Sequence, residues 1–238
     1  MVGRLEAQGR GELAHKLIPE YLPGCKRLTL SDEYLESLCR SNVTVERSAI
    51  REIRGRTIVC ENGNETEFDI LCLATGFNVQ GFLGNLQIYG RNNQSLNDLW
   101  KNGYPETYKS INIHGFPNFF LLLGPASAFG HHSAVSVIES NFSVLNNSQV
   151  NFAIKTIKYM RKHQITSFEP KKEAQEKFVE GLRKAHQSTV WSSGCKSWYM
   201  DAKGQIVSLW PGTIISFMWA LYRTSYTSDY ICNRSTPK

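Results

Sequence analysis

The sequence predicts an α/β fold, and three stretches carry that expectation. In FDILCLATGF (68–77), Ile70 to Leu73 form a short apolar run, with Asp69 before it and the small-residue break Ala74-Thr75-Gly76 behind it. A run bounded in this way suits a strand buried on both faces, as in a parallel sheet. A buried helix segment reads similarly, but Gly76 leaves too little length for one. Phe119 to Leu123 repeats the pattern and stops at Gly124-Pro125. Val150 to His163 instead places Ala153, Ile154, Ile157 and Met160 on one helical side. Backbone without bulk at the mouth of a strand is where an open α/β sheet lets a ligand approach.

The remaining elements follow in order. Gly9-Arg10-Gly11-Glu12-Leu13-Ala14 matches a dinucleotide glycine pattern by letter, but no apolar strand leads into it, so it is read as a helix end turning towards Pro19 and Pro23-Gly24. Ser31 suits an N-cap for a helix carrying Tyr34, Leu35 and Leu38. Asn42 to Arg47 and Thr57 to Cys60 read as strands, and Glu61-Asn62-Gly63-Asn64 as a tight turn. The glycine- and asparagine-rich stretch from 78 to 108 reads as irregular, and Phe116-Pro117-Asn118 as a turn. One helix is expected near His132-Ser133 and another starting at Pro170, with Ala174, Phe178 and Leu182 in an i, i+4 row. Trp191 to Pro211 is rich in aromatics, and the polar tail after Thr224 is expected to fray.

A length of 238 residues allows one large domain or two small ones. The charge of +6 is a mild excess of scattered bases with no block of like charges, so a phosphate-bearing cofactor explains it as well as nucleic acid does. Basic residues in 150–163 read as a solvated face. The six cysteines show no CxxC pair and no zinc spacing, which points to reduced thiols and a cytoplasmic protein. Adjacent His131 and His132 point in different directions and have no third ligand, so no metal site is expected. The N-terminus lacks the apolar core of a signal peptide. Ile206 to Tyr222 is apolar but broken by Ser208, Pro211, Gly212 and Ser216; a buried strand and a docking C-terminal segment are expected there, without membrane contact.

Three motifs then stand in order: KLIPEYLPGCKR (16–27), FDILCLATGF (68–77) and GFPNFFLLLGPASAFGHHS (115–133). Together they resemble the C-terminal half of the FAD- and NADPH-dependent Baeyer–Villiger and related class B flavin monooxygenases, from about Leu13 to about Trp210. The resemblance implies a remnant of the two-dinucleotide-binding-domain flavoprotein fold, Rossmann-like, without its N-terminal half. Residues 1–74 would close the NADPH-binding domain and 75–238 would belong to the FAD-binding domain. It implies insertion of one oxygen atom from O2 into a small organic substrate, a ketone of secondary-metabolite type, with NADPH as reductant.

Site residues follow from the same resemblance. Two adjacent bases after Pro-Gly are more often surface charges, but the family places a Lys-Arg pair here. Lys26 would recognise the ribose phosphate of NADPH as a point charge. Arg27 would lie over the flavin and stabilise developing negative charge with its permanent cation. Ala74, Thr75, Gly76 and Phe77 would approach the cofactor by backbone. Gly124 and Pro125 would end a strand at the polar edge of the ring, with following N–H groups satisfying its oxygens. Trp198 resembles the indole near the nicotinamide, and a core role is open to it as well.

The chain departs from the family at Asn141 to Ser148, where eight residues intervene before Gln149. The glycine fingerprints that hold the two pyrophosphates at helix starts are not in the sequence. A catalytically inactive fragment that holds no FAD is therefore the alternative, and a basic nucleic-acid-binding protein is a more distant one.

Overall fold

The computed structural model describes residues 1–76, 81–101, 104–130, 148–194 and 196–234. The chain divides into two compact units, 1–20 with 29–77 and 21–28 with 78–238. The main boundary between the units follows residue 77, and eight residues, 21–28, belong to the second unit.

In the first unit, helices α1 (Val2–Ala7), α2 (Leu13–Leu17) and α3 (Tyr34–Leu38) close around Leu5, Leu13 and Ala14. Arg4 ties α1 to Glu36 of α3 through a 2.5 Å ion pair. Glu33, not Ser31, holds the N-cap position of α3, although the Ser31 Oγ still accepts from the Tyr34 N–H at 3.2 Å and so steadies the helix start. Strands β1 (Ile50–Arg54), β2 (Thr57–Cys60) and β3 (Glu65–Glu67) form an antiparallel meander. Gly55 (φ +56°) turns β1 into β2, and Gly63 (φ +86°) turns β2 into β3 at the expected Asn-Gly. The first strand lies at 50–54 rather than at Asn42 to Arg47, because the register pairs Arg54 with Thr57 and Ile53 with Ile58.

The run Ile70 to Leu73 is a correction. It is not a buried strand: Ile70 is 80% and Leu73 75% exposed, and no backbone hydrogen bond engages 70–76 among the described residues. A strand buried on both faces needs a ladder on each edge and a cover on each face, and the first unit supplies neither. Only its start is tied down, by the Phe68 N–H to the Arg56 carbonyl and an Arg56–Asp69 ion pair.

The second unit holds helices α4 (Leu96–Lys101), α5 (Gln149–Lys162), α6 (Lys172–His186) and α7 (Ile214–Tyr222), with β4 (Ile165–Pro170) antiparallel to β5 (Tyr230–Arg234). Its core gathers Phe152 from α5, Phe168 from β4, Leu182 from α6, Phe217 and Leu221 from α7 and Tyr230 from β5. Ser148 caps α5 by accepting from the Asn151 N–H, and Thr213 caps α7 in the same way.

Several expectations change here. Pro170 ends β4 instead of opening α6. The tail does not fray through 234: Tyr230 stacks on Phe168 at 4.1 Å, its hydroxyl donates to Asn112, and Tyr108 donates to Asp229. Burial of an aromatic pair outweighs the polarity of the residues around it. Phe119 to Leu123 is only partly buried and forms no strand. Side-chain amides replace a ladder there, Asn112 donating to the Phe119 carbonyl and Gln149 accepting from the Leu123 N–H at 2.7 Å. Cys39, Cys60, Cys72 and Cys232 are free thiols, but Cys25 is disulfide-bonded, against the expectation of reduced thiols throughout. The helix expected at His132-Ser133 and residues 141–147 lie outside the described residues.

Candidate functional site

The candidate site is assembled within the second unit from segments far apart in sequence. Pro23-Gly24 makes a tight turn in which the Cys25 N–H reaches the Leu22 carbonyl at 3.2 Å. Gly24 has φ +88°, a conformation that a β-carbon would strain. The turn presents the Gly24 carbonyl to the indole N–H of Trp191 at 3.2 Å, across 167 residues. That bond docks 24–27 on the aromatic stretch 190–199.

Beyond the turn, Cys25 is buried, whereas Lys26 and Arg27 are exposed. Arg27 stands close enough to Tyr199 for its charge to act on the phenol. Burial pushes the Tyr199 hydroxyl pKa up, and the guanidinium partly opposes it. Trp191, Tyr199 and Trp198 form a continuous aromatic wall, with ring centroids 6.2 Å and 4.3 Å apart along it. The Tyr199 hydroxyl is buried without a hydrogen-bond partner among the described residues. Gly130 approaches the same wall; a β-carbon there would sit 3.6 Å from Trp191 and 3.8 Å from the Tyr199 oxygen.

Gly124 and Pro125 are buried in this unit. Only glycine fits at 124, since a β-carbon would come within 2.8 Å of the Ser110 carbonyl. The donors after Pro125 are largely committed: Ala126 and Ala128 bond to the Val207 and Ser208 carbonyls, and the Ser127 hydroxyl to the Gly124 carbonyl. The expected row of free N–H groups is thus interrupted at Ala126 and Ala128.

Of the site residues expected from sequence, Trp198 lies in the aromatic wall, and Arg27 is within electrostatic reach of its Tyr199. Lys26 stands beside Arg27, but its ammonium lies over the Tyr21 ring at 4.7 Å, a cation–π contact. Ala74, Thr75 and Gly76 belong to the first unit and are exposed, and Phe77 lies outside the described residues. Sequence reasoning missed Trp191, Tyr199 and Gly130; the aromatic density of 191–211 was the available signal.

One buried group nearby is also unexplained by sequence. His186, 5% exposed at the end of α6, borders a cavity of about 450 Å3 with Arg183, Ser192 and Ile206. Burial pushes its pKa down to about 4; the ring faces the backbone of Leu209, which opposes the shift, without closing a hydrogen bond.

These residues fit one end of a dinucleotide cofactor. A guanidinium with no carboxylate partner among the described residues, aromatic rings and a buried phenol lacking a partner there suit the planar, polar ring end of a flavin or nicotinamide. Among the described residues the pyrophosphate end finds no holder: Gly9 to Glu12 links α1 to α2, Leu13 and Ala14 open α2, and no strand comes before them. Among the described residues no cluster of three His, Cys, Asp or Glu could hold a metal.

Comparisons with known proteins relate the chain to one group of flavin enzymes. No family model matches the chain. It is 37% identical over 224 residues to a Baeyer–Villiger monooxygenase of Pseudomonas aeruginosa, covering 92% of this chain and 40% of that protein. It is 33% identical to the FAD-binding monooxygenase ktnD of Aspergillus niger, covering 94% of this chain and 36% of that protein. Among solved structures, cyclohexanone monooxygenase from Rhodococcus sp. Phi1 bound to NADP+ superposes with a TM-score of 0.77 at 28% identity, over 94% of this chain and 42% of that one. A steroid monooxygenase bound to NADP gives 0.78 at 25%, over 94% and 42%. The chain spans about 40% of the length of the relatives it matches. Its fold is thus part of the two-dinucleotide-binding-domain flavoprotein fold. Within that class it matches the C-terminal half of the Baeyer–Villiger-type monooxygenases.

Proposed function

We propose that this chain provides the reacting-end wall of an FAD- and NADPH-dependent Baeyer–Villiger monooxygenase acting in the cytoplasm. The reaction converts an organic substrate, a ketone by preference, with O2, NADPH and a proton into the ester, NADP+ and water. Bound FAD supplies the oxygen activation. In this chain Arg27 holds a fixed positive charge where negative charge develops, while Trp191, Trp198 and Tyr199 exclude water from that side. Lys26 is assigned to the NADPH phosphate, which requires its ammonium to leave the Tyr21 ring. Gly124, Pro125 and Ala74 to Phe77 are assigned to backbone approach to the cofactor, in an FAD-binding part (75–238) and the end of an NADPH-binding part (1–74). Four free thiols support the cytoplasmic assignment, and the disulfide at Cys25 runs against it.

The observation that supports this is the docking of Gly24 on Trp191, in the same short segment as Arg27, whose charge reaches Tyr199. The test is to purify the chain with FAD and to follow its visible spectrum, NADPH oxidation and the mass of the ketone product. Substrate gaining one oxygen supports the proposal, provided that Arg27→Ala abolishes it while flavin content stays the same. A second reading, a chain holding no flavin by itself, is favoured by the exposed, unpaired 70–76 run. A colourless protein that does not oxidise NADPH would decide for it.

A further inference from the structure

We propose that the outward faces of α5 and α7 form a docking surface for an anionic phospholipid membrane. The proposal is independent of the oxygenation chemistry. Both helices belong to the second unit, pack against each other and bury their inner sides in one cluster, through Phe152, Phe217 and Leu221.

Their outer sides are unlike an ordinary solvated surface. The sequence of α5, QVNFAIKTIKYMRK, has four bases and no acid. Lys158, Arg161 and Lys162 lie exposed on its outer side, together with the half-exposed Ile154 and Ile157. At 100° per residue these five positions fall within one arc of about 140°. Helix α7, IISFMWALY, carries no charge at all. Phe217, Met218 and Leu221 face inward, while Ile215, Trp219 and Tyr222 stay exposed at i, i+4 and i+7, Trp219 itself at 47%. The Trp219 and Tyr222 rings stack at 5.3 Å and 25°. Arg223 follows directly. Beside α5, a groove of about 550 Å3 is lined by Phe120, Ile157, Met160 and Ile165, with Arg161 at its edge.

Charge decides between the occupants. Two copies of a helix with four bases and no acid would repel each other, which argues against self-association through α5. Nucleic acid suits the bases and would stack on Trp219 and Tyr222, but it gives aliphatic Ile154, Ile157 and Ile215 nothing to bury against. An anionic bilayer matches all three features: phosphate for the bases, the interface for Trp and Tyr, and acyl chains for the isoleucines. No described helix is long and apolar enough to cross a membrane, so the contact is interfacial. The cytoplasmic leaflet carries the required negative charge. The proposal departs from the expectation of no membrane contact at Ile206 to Tyr222, because hydropathy alone does not say which side of α7 faces outward.

The test uses the full chain and vesicles of phosphatidylserine mixed with phosphatidylcholine, against phosphatidylcholine alone. Co-sedimentation is expected only with the mixed vesicles, weakening as salt rises, with a blue shift of tryptophan emission that Trp219→Phe removes. Neutralising Lys158, Arg161 and Lys162 to Gln together should weaken binding about 100-fold, at roughly fivefold per charge. Ile215→Ser with Trp219→Ser and Tyr222→Ser should abolish it while circular dichroism shows an unchanged fold. Equal binding to both vesicles, binding unaltered in the substituted chains, or retention on duplex DNA without vesicle binding would each overturn the proposal.

Discussion

The Trp191 indole donates to the Gly24 carbonyl at 3.2 Å, joining two segments 167 residues apart. Everything assigned to Arg27 depends on that clasp, since 21–28 packs with the second unit and leaves the residues on either side of it to the first. Trp191→Phe keeps the ring and removes the donor. The expected loss is about 1 kcal/mol, with faster amide exchange confined to 22–27, read by hydrogen-exchange mass spectrometry.

Arg27→Lys keeps charge and loses the planar fork, and Arg27→Ala loses both. If Arg27 stabilises developing charge, the alanine variant should lose roughly 100- to 1000-fold in turnover, the lysine variant less. Thermal unfolding should not move, because the side chain is exposed. Measuring turnover and melting on the same preparations separates a chemical from a structural role.

Glu169 is 2% exposed and pairs with Arg91 at 2.6 Å while accepting from the Gly115 N–H at 2.8 Å. Arg91→Ala strands a buried carboxylate, and should cost about 3–5 kcal/mol by urea unfolding. Adding Glu169→Gln should recover part of that loss.

His186 makes stability depend on pH. Its folded pKa of about 4 lies below the ordinary 6.5, so the unfolded chain binds a proton that the fold refuses. Stability is complete above pH 6.5 and falls as pH drops towards 4, by up to about 3 kcal/mol. In His186→Gln that part of the slope should vanish in unfolding curves taken across this range.

Ile70→Lys with Leu73→Lys should leave the melting temperature unchanged, as both side chains are exposed. It should lower self-association in light scattering, because unpaired apolar backbone invites edge pairing.

Local pattern and motif carried much of this protein. The Ser31 contact to Tyr34, the Asn62-Gly63 turn and α5 could be read because each depends on residues within a few positions of one another. The same holds for the resemblance, whose motifs are contiguous stretches. What could not be read depends on distant partners. An apolar run predicts a buried strand only if other strands are there to pair with it, and 70–73 meets none. The polar tail predicts fraying unless Phe168 waits 62 residues upstream for Tyr230.

The amino-acid sequence by itself determined the kind of fold, the family it matches and the arginine on which its chemistry is proposed to turn, through short-range pattern and chemical type. Tertiary structure alone decided that Gly24 docks on Trp191, that His186 is buried, and that Trp219 faces outward. Burial and contact are set by chain segments that sequence order keeps apart, and the free energy of placing a side chain depends on what it meets there.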